Sequence, residues 1–151
     1  MKQKNEILME KPFDHYSVLE TSSEITKLGE IKSWAEKCWR ELGFGTEKME
    51  KMLLCVEEVF ANICFHGYKG EPGLVRFECF NDNKRAIVFK IYDWAAAFDI
   101  TSLSRPDTDQ PLADRQIGGL GVLLIKEMVD EINWILKDGA NMLSLIFYAD
   151  I

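Results

Sequence analysis

MEKMLLCVEEVFANICFHGYKGEPGLVRFECFNDNKRAIVFKIYD, residues 49–93, changes its hydrophobic period once, and that change decides the fold. The first half places Met49, Met52, Val56, Val59 and Ile63 on one stripe, with Leu53 and Phe60 flanking. That is the period of a helix, ending near His66 and Gly67. Thr46 is placed to cap it. Residues 74–80 and 85–93 then read as strands, with Asn81-Asp82-Asn83 as the hairpin turn between them.

Working outward, Ile25, Leu28, Ile31, Ala35, Cys38 and Leu42 form an earlier helical stripe. Ser22 and Ser23 are its candidate caps, and Gly43 and Gly45 stop it. Residues 12–20 read as a first strand. Residues 1–11 are polar and read as a frayed extension, which leaves 12–151 as one domain. Residues 94–117 show no period and contain Pro106 and Pro111, so they read as a long loop, a feature more often functional than structural. A third helix is expected over 119–129, then strands at 132–137 and 142–148 about an Asp138-Gly139 turn. The order predicts an α+β fold, a two-layer sandwich in which helices cover one face of a mostly antiparallel sheet.

Composition narrows the function. The 151 residues suffice for one domain that needs no disulfide or metal to hold its core. The net charge of -7 argues against nucleic acid as partner, since phosphates demand a basic face. No apolar run approaches the roughly 20 residues of a membrane span, and the N-terminus has no signal-peptide core. Cys38, Cys55, Cys64 and Cys79 lack zinc-ligand spacing and read as reduced core residues. A cytoplasmic protein is expected.

Three short patterns carry chemistry. Glu58 and Asn62 lie four apart on one helical face, and His66 continues the row. A carboxylate there can act as general base and an amide oxygen can ligate Mg²⁺, although such a row taken alone is more often an ordinary solvated face. Asp93 ends an apolar strand and faces a loop, where it can bond a ligand or simply terminate the strand. Gln116-Ile117-Gly118-Gly119-Leu120-Gly121 leads into a helix whose amides favour phosphate. It fits neither the P-loop nor the dinucleotide fingerprint.

Together these patterns resemble the three boxes of the GHKL ATP-binding superfamily. EEVFANICFHGY (57–68) is similar to the E-x-x-x-N-x-x-x-H-x-Y helix of anti-sigma factor serine/threonine kinases, and DWAAAFD (93–99) to their D-x-G-x-P-F-D segment. RPDTDQPLADRQIGGLGVLLIKEMVDEINW (105–134) resembles their lid, and DGANMLSLIF (138–147) their G-x-N-x-L hairpin. The likeness runs from about residue 20 to 149, and the lid is its most specific part.

The resemblance implies a Bergerat ATP-binding fold using ATP and Mg²⁺. It makes Glu58 the general base and Asn62 the Mg²⁺ ligand. Asp93 would accept from the adenine amino group. His66, Ala95, Phe98 and Leu120 would complete the nucleotide site, with Gly118, Gly119 and Gly121 against the phosphates. Arg115 is added as a charge clamp on a phosphate. The implied activity is phosphorylation of a STAS-type anti-sigma factor antagonist, with sequestration of a sigma factor by the same, often homodimeric, domain. Two positions depart from the family: Ala95 stands where it has Gly, and Ala97 where it has Pro. A positive φ at 95 would cost alanine about 1 kcal/mol; a close approach there would crowd the adenine. The alternative is therefore a binding module of the same fold without catalysis. Trp34, Trp39, Phe44 and Trp134 read as core or rim. Trp94, beside Asp93, is expected to wall the pocket or cap the core. His15 is assigned no role.

Overall fold

The computed structural model describes residues 16–83, 85–102 and 119–149, with residues 119 and 120 described in backbone only. Strand β1 is Tyr16–Ser22, helix α1 is Leu28–Glu41 and helix α2 is Met49–Asn62. The hairpin β2 (Leu74–Asp82) and β3 (Ala86–Asp93) follows, then helix α3 (Gly119–Met128) and the hairpin β4 (Glu131–Lys137) and β5 (Ala140–Tyr148). The five strands form one antiparallel sheet in the order β1-β2-β3-β5-β4. This is the α+β arrangement expected from the order of periods.

Alternation along the strands sends Val75, Phe77, Cys79, Ile87, Phe89, Ile91, Leu143, Leu145 and Phe147 to one face. That face meets Ile31, Ala35, Cys38 and Trp39 of α1, Met52, Val56, Val59 and Phe60 of α2, and Val122 and Ile125 of α3 in one core. Removing any of its large aromatic side chains is worth about 3–5 kcal/mol. All four cysteines are buried and none is in a disulfide. Burial pushes the Cys55 thiol up to about 12 and Cys64 to about 11, so neither is a thiolate at neutral pH.

Several local expectations are corrected. The first strand occupies Tyr16–Ser22, and the stretch 12–15 lies outside the described residues. Ser22 and Ser23 cap nothing. Ser22 is in β1, and the Ser23 hydroxyl instead donates to the Glu71 carbonyl (3.1 Å) and accepts from the Gly73 amide (2.8 Å). Thr46 is not the cap of α2 either: Lys48 holds that position, without a side-chain bond. One hairpin turn stands where the sequence put it and the other is shifted: Asn81 and Asp82, expected in the turn, are still strand, paired with Ile87 and Ala86. Asn83 (φ 50) turns β2 into β3, and Asp138 (φ 53) with Gly139 (φ 81) turns β4 into β5.

Candidate functional site

Helix α2 does not end simply at Asn62. Ile63–Gly67 form a π-helical turn, closed by Tyr68 N donating to Ile63 O at 2.9 Å. Such wide turns are frequent at functional sites because they re-aim side chains. Lys69 (φ 55) and Gly70 (φ 83) then reverse the chain toward β2. Tyr68 ties this turn to the end of β3: its hydroxyl donates to Leu74 O (2.7 Å) and accepts from Trp94 N (2.8 Å).

Between this turn, the core face of β3 and β5, and the segment after Asp93 lies a cavity of about 240 Å³. Asn62, His66, Asp93 and Phe98 all line it, as do Ala96, Ala97 and Ile91. Four of the residues singled out in the sequence, from two separate stretches of the chain, thus line one cavity. Phe98 is 53% exposed and stands at the surface.

Asp93 is buried, and desolvation raises its carboxyl above the usual aspartate value; bonds from Asn141 and the Ala95 amide oppose the rise. Both bonds fall on one oxygen. Asn141 Nδ2 donates to Oδ1 at 3.0 Å and Ala95 N at 3.1 Å. Oδ2 accepts from no side chain or loop amide among the described residues, which leaves it for a donor in the cavity.

Asn62 is the second feature. Its Nδ2 is buried with no hydrogen-bond partner among the described residues, an exception that calls for an account. Nearby stands Glu58, one turn earlier on α2 and outside the cavity lining. Both face Gly121 of α3: a Cβ added at 121 would lie 2.5 Å from Glu58 Oε2 and 4.0 Å from Asn62 Nδ2. A carboxylate, an unpaired amide and a bare helix backbone therefore meet beside the cavity. Rotating the amide exchanges its nitrogen for an oxygen, and carboxylate and amide oxygens are the ligands Mg²⁺ takes. Among the described residues no group of three or more His, Cys, Asp or Glu could hold a metal alone. A cation here would draw its other ligands from phosphates and water, as Mg²⁺ commonly does.

Gly119 opens α3. The Leu120 side chain, Gly118 and Arg115 lie outside the described residues. Ala95 does not line the cavity and has no positive φ. It faces the π turn instead, with its Cβ 3.4 Å from where a Gly67 Cβ would stand. Trp94, expected as pocket wall or core cap, is neither: it is 43% exposed and off the cavity lining. Trp134, read as core or rim, lines the cavity. Asn141 and Lys69 line it too and were missed. Asn141 was within the G-x-N-x-L ending but carried no assigned role; Lys69 had no signal of its own.

With this geometry in place, comparison with known proteins is informative. The sequence profile described as histidine kinase-like ATPase domain matches residues 21–147. The serine/threonine-protein kinase BtrW of Bordetella bronchiseptica is 27% identical over 128 residues, covering 84% of this chain and 89% of that protein. The serine-protein kinase RsbW of Bacillus thuringiensis is 26% identical over 106 residues, covering 68% of this chain and 66% of its own length. A crystal structure of the RsbU and RsbW domains of a Mycobacterium tuberculosis protein superposes with a TM-score of 0.63 at 12% identity, over 89% of this chain and 32% of that one. At that identity the superposition speaks for the fold alone.

Proposed function

Because the chain belongs to the histidine kinase-like ATPase domain family, we propose that it is an ATP-dependent serine/threonine protein kinase and anti-sigma factor. It would act in the cytoplasm, as a homodimer, on a STAS-type antagonist. The curated relatives are named as serine or serine/threonine kinases, which supports the reaction class. The observation that carries the reading is the unpartnered Asn62 amide, buried beside Glu58 and on the wall of the cavity that Asp93 also lines.

In this reading Asp93 Oδ2 accepts a hydrogen bond from the adenine amino group. Asn62 holds Mg²⁺, which supplies neutralisation of the phosphate charge. Glu58 takes the proton of the substrate serine as its oxygen attacks the γ-phosphorus. The bond to the β-phosphate oxygen breaks, and ADP leaves. Positioning and charge supply most of such a reaction, and the general base about 10²–10⁴ in rate. Arg115, Gly118, Gly119 and Gly121 are assigned to the phosphates, and His66, Ala95, Phe98 and Leu120 to the nucleoside side of the site. Regulation follows if the same domain sequesters a sigma factor until the antagonist displaces it.

The test is incubation with Mg·ATP and a candidate STAS-type protein, followed by intact mass. Wild type adds one phosphoryl group to that protein; Glu58→Ala does not. Full transfer by Glu58→Ala would remove the base assignment. Tight binding of a protein partner without Mg·ATP binding in calorimetry would favour the non-catalytic module.

A further inference from the structure

The Asn141 side chain is buried on β5, opposite Asp93 of β3, and its amide is fully engaged. Oδ1 accepts from Phe98 N at 2.9 Å and from Trp134 Nε1 at 3.1 Å. Nδ2 donates to Asp93 Oδ1 at 3.0 Å, Ala96 O at 3.1 Å and Ala95 O at 3.3 Å. Two N–H donors on one side and three oxygens on the other leave the amide one orientation.

Residues 95–97 of the segment that Asn141 holds bring no polar side chain of their own. Ala95, Ala96 and Ala97 carry no side-chain donor or acceptor, and neither glycine nor proline sets their backbone. Their peptide groups still need partners when withdrawn from water. Asn141 answers Ala95 O, Ala96 O and Phe98 N, while Ala95 N bonds Asp93 Oδ1. The circuit closes on the carboxylate: among the described residues both side-chain and loop-amide bonds it takes fall on Oδ1, which leaves Oδ2. Ala96 and Phe98, bonded by this amide, line the cavity, as do Ala97 and Trp134.

We infer that Asn141 is a positioning residue that latches segment 95–98 and fixes Asp93 with one oxygen toward the cavity, so that the site selects a purine bearing an exocyclic amino donor over one bearing a carbonyl there. The selectivity half rests on the nucleotide reading above; the latch does not. An ionised Oδ2 attracts the amino group of adenine and repels the carbonyl oxygen that guanine presents at the same position. Freed of Asn141, the carboxylate can turn and the three-alanine segment can shift, and both relax the discrimination.

Two measurements decide it. In the nucleotide-free protein, Asn141→Ala should shift the Phe98 amide and Trp134 indole N–H resonances and move the Asp93 carboxyl titration to higher pH, because a donor to the carboxylate is gone. Unmoved resonances and titration would overturn the latch. Asn141→Asp retains shape but replaces the donor with an acceptor, and should raise the Asp93 titration further; an isosteric variant that behaves as wild type would reduce Asn141 to packing. Asn141→Ser is read in the same way if the alanine variant does not fold by circular dichroism. In calorimetry, Asn141→Ala should weaken ATP about tenfold, the worth of one charge-assisted bond, and GTP less. Equal losses for both nucleotides would overturn the selectivity. Wild type that binds neither nucleotide would sink the proposed function and the selectivity together, while the nucleotide-free spectra still decide the latch.

Discussion

Gly121 of α3 stands against the Glu58 carboxylate of α2, so close that a Cβ at 121 would lie 2.5 Å from Oε2. The obstructed atom is the end of a flexible side chain, not backbone. Gly121→Ala therefore displaces the carboxylate and leaves the helices where they are. Alanine also gains up to about 1 kcal/mol over glycine inside a helix. The expected result is an unchanged or raised thermal midpoint with phosphoryl transfer reduced about 10²–10⁴-fold, the contribution of a general base. Scanning fluorimetry beside a transfer assay checks it. Loss of midpoint and activity in parallel would mean that the glycine serves packing alone.

Asn62 presents the complementary case. Its buried Nδ2 is without a partner, which costs the nucleotide-free fold about 1–3 kcal/mol. Asn62→Ala removes that burden at the expense of some packing, so urea unfolding should place it within about 1 kcal/mol of wild type or above. Mg²⁺-dependent ATP binding should fall at least about tenfold in calorimetry, while any residual Mg²⁺-free binding stays unchanged. A variant that is strongly destabilised yet binds Mg·ATP normally contradicts the assignment.

Ala95 stands at the glycine position of the D-x-G-x-P-F-D pattern that residues 93–99 resemble, yet its φ is not positive and its methyl faces Gly67. Restoring glycine therefore relieves no strain. Ala95→Gly should lower stability by about 0.4–1 kcal/mol through the entropy of the unfolded chain. ATP affinity should stay within about twofold of wild type. A large gain in affinity would show that the methyl does crowd the nucleotide.

The Asp138-Gly139 turn was legible because its signal is local: it requires positive φ at both residues and the chain supplies it. The gathering of Asn62, His66, Asp93 and Phe98 about one cavity was legible because each lies at a fixed offset within a short pattern. Ser23 was misread because its partners, Gly73 N and Glu71 O, arrive from a loop some fifty residues away and leave no mark near the serine. Asn141 was missed for a related reason. Its place opposite Asp93 depends on β5, rather than β4, pairing with β3, and no local pattern states that choice.

Asp93 ties pH to both stability and binding. Burial raises its folded carboxyl above 3.8, so the folded state holds its proton more tightly than the unfolded chain does. The sign follows: the stability this group contributes is full below its unfolded value of about 3.9 and is lost as pH rises through the raised folded value. At pH 7 the ionised, buried carboxylate works against the fold, and it is retained for what it binds. Asp93→Asn should therefore be at least as stable as wild type at pH 7, with the advantage shrinking on acidification. ATP affinity should fall, because Asn141 Nδ2 captures the new amide oxygen at the Oδ1 position and leaves an N–H facing the cavity, a donor toward the adenine amino group. The same N–H suits a carbonyl, so the preference for ATP over GTP should narrow or reverse. Chemical denaturation across pH and paired calorimetry with the two nucleotides read both effects. A wild type whose ATP affinity stays flat down to the ordinary aspartate range near pH 4 would contradict the role given to Asp93.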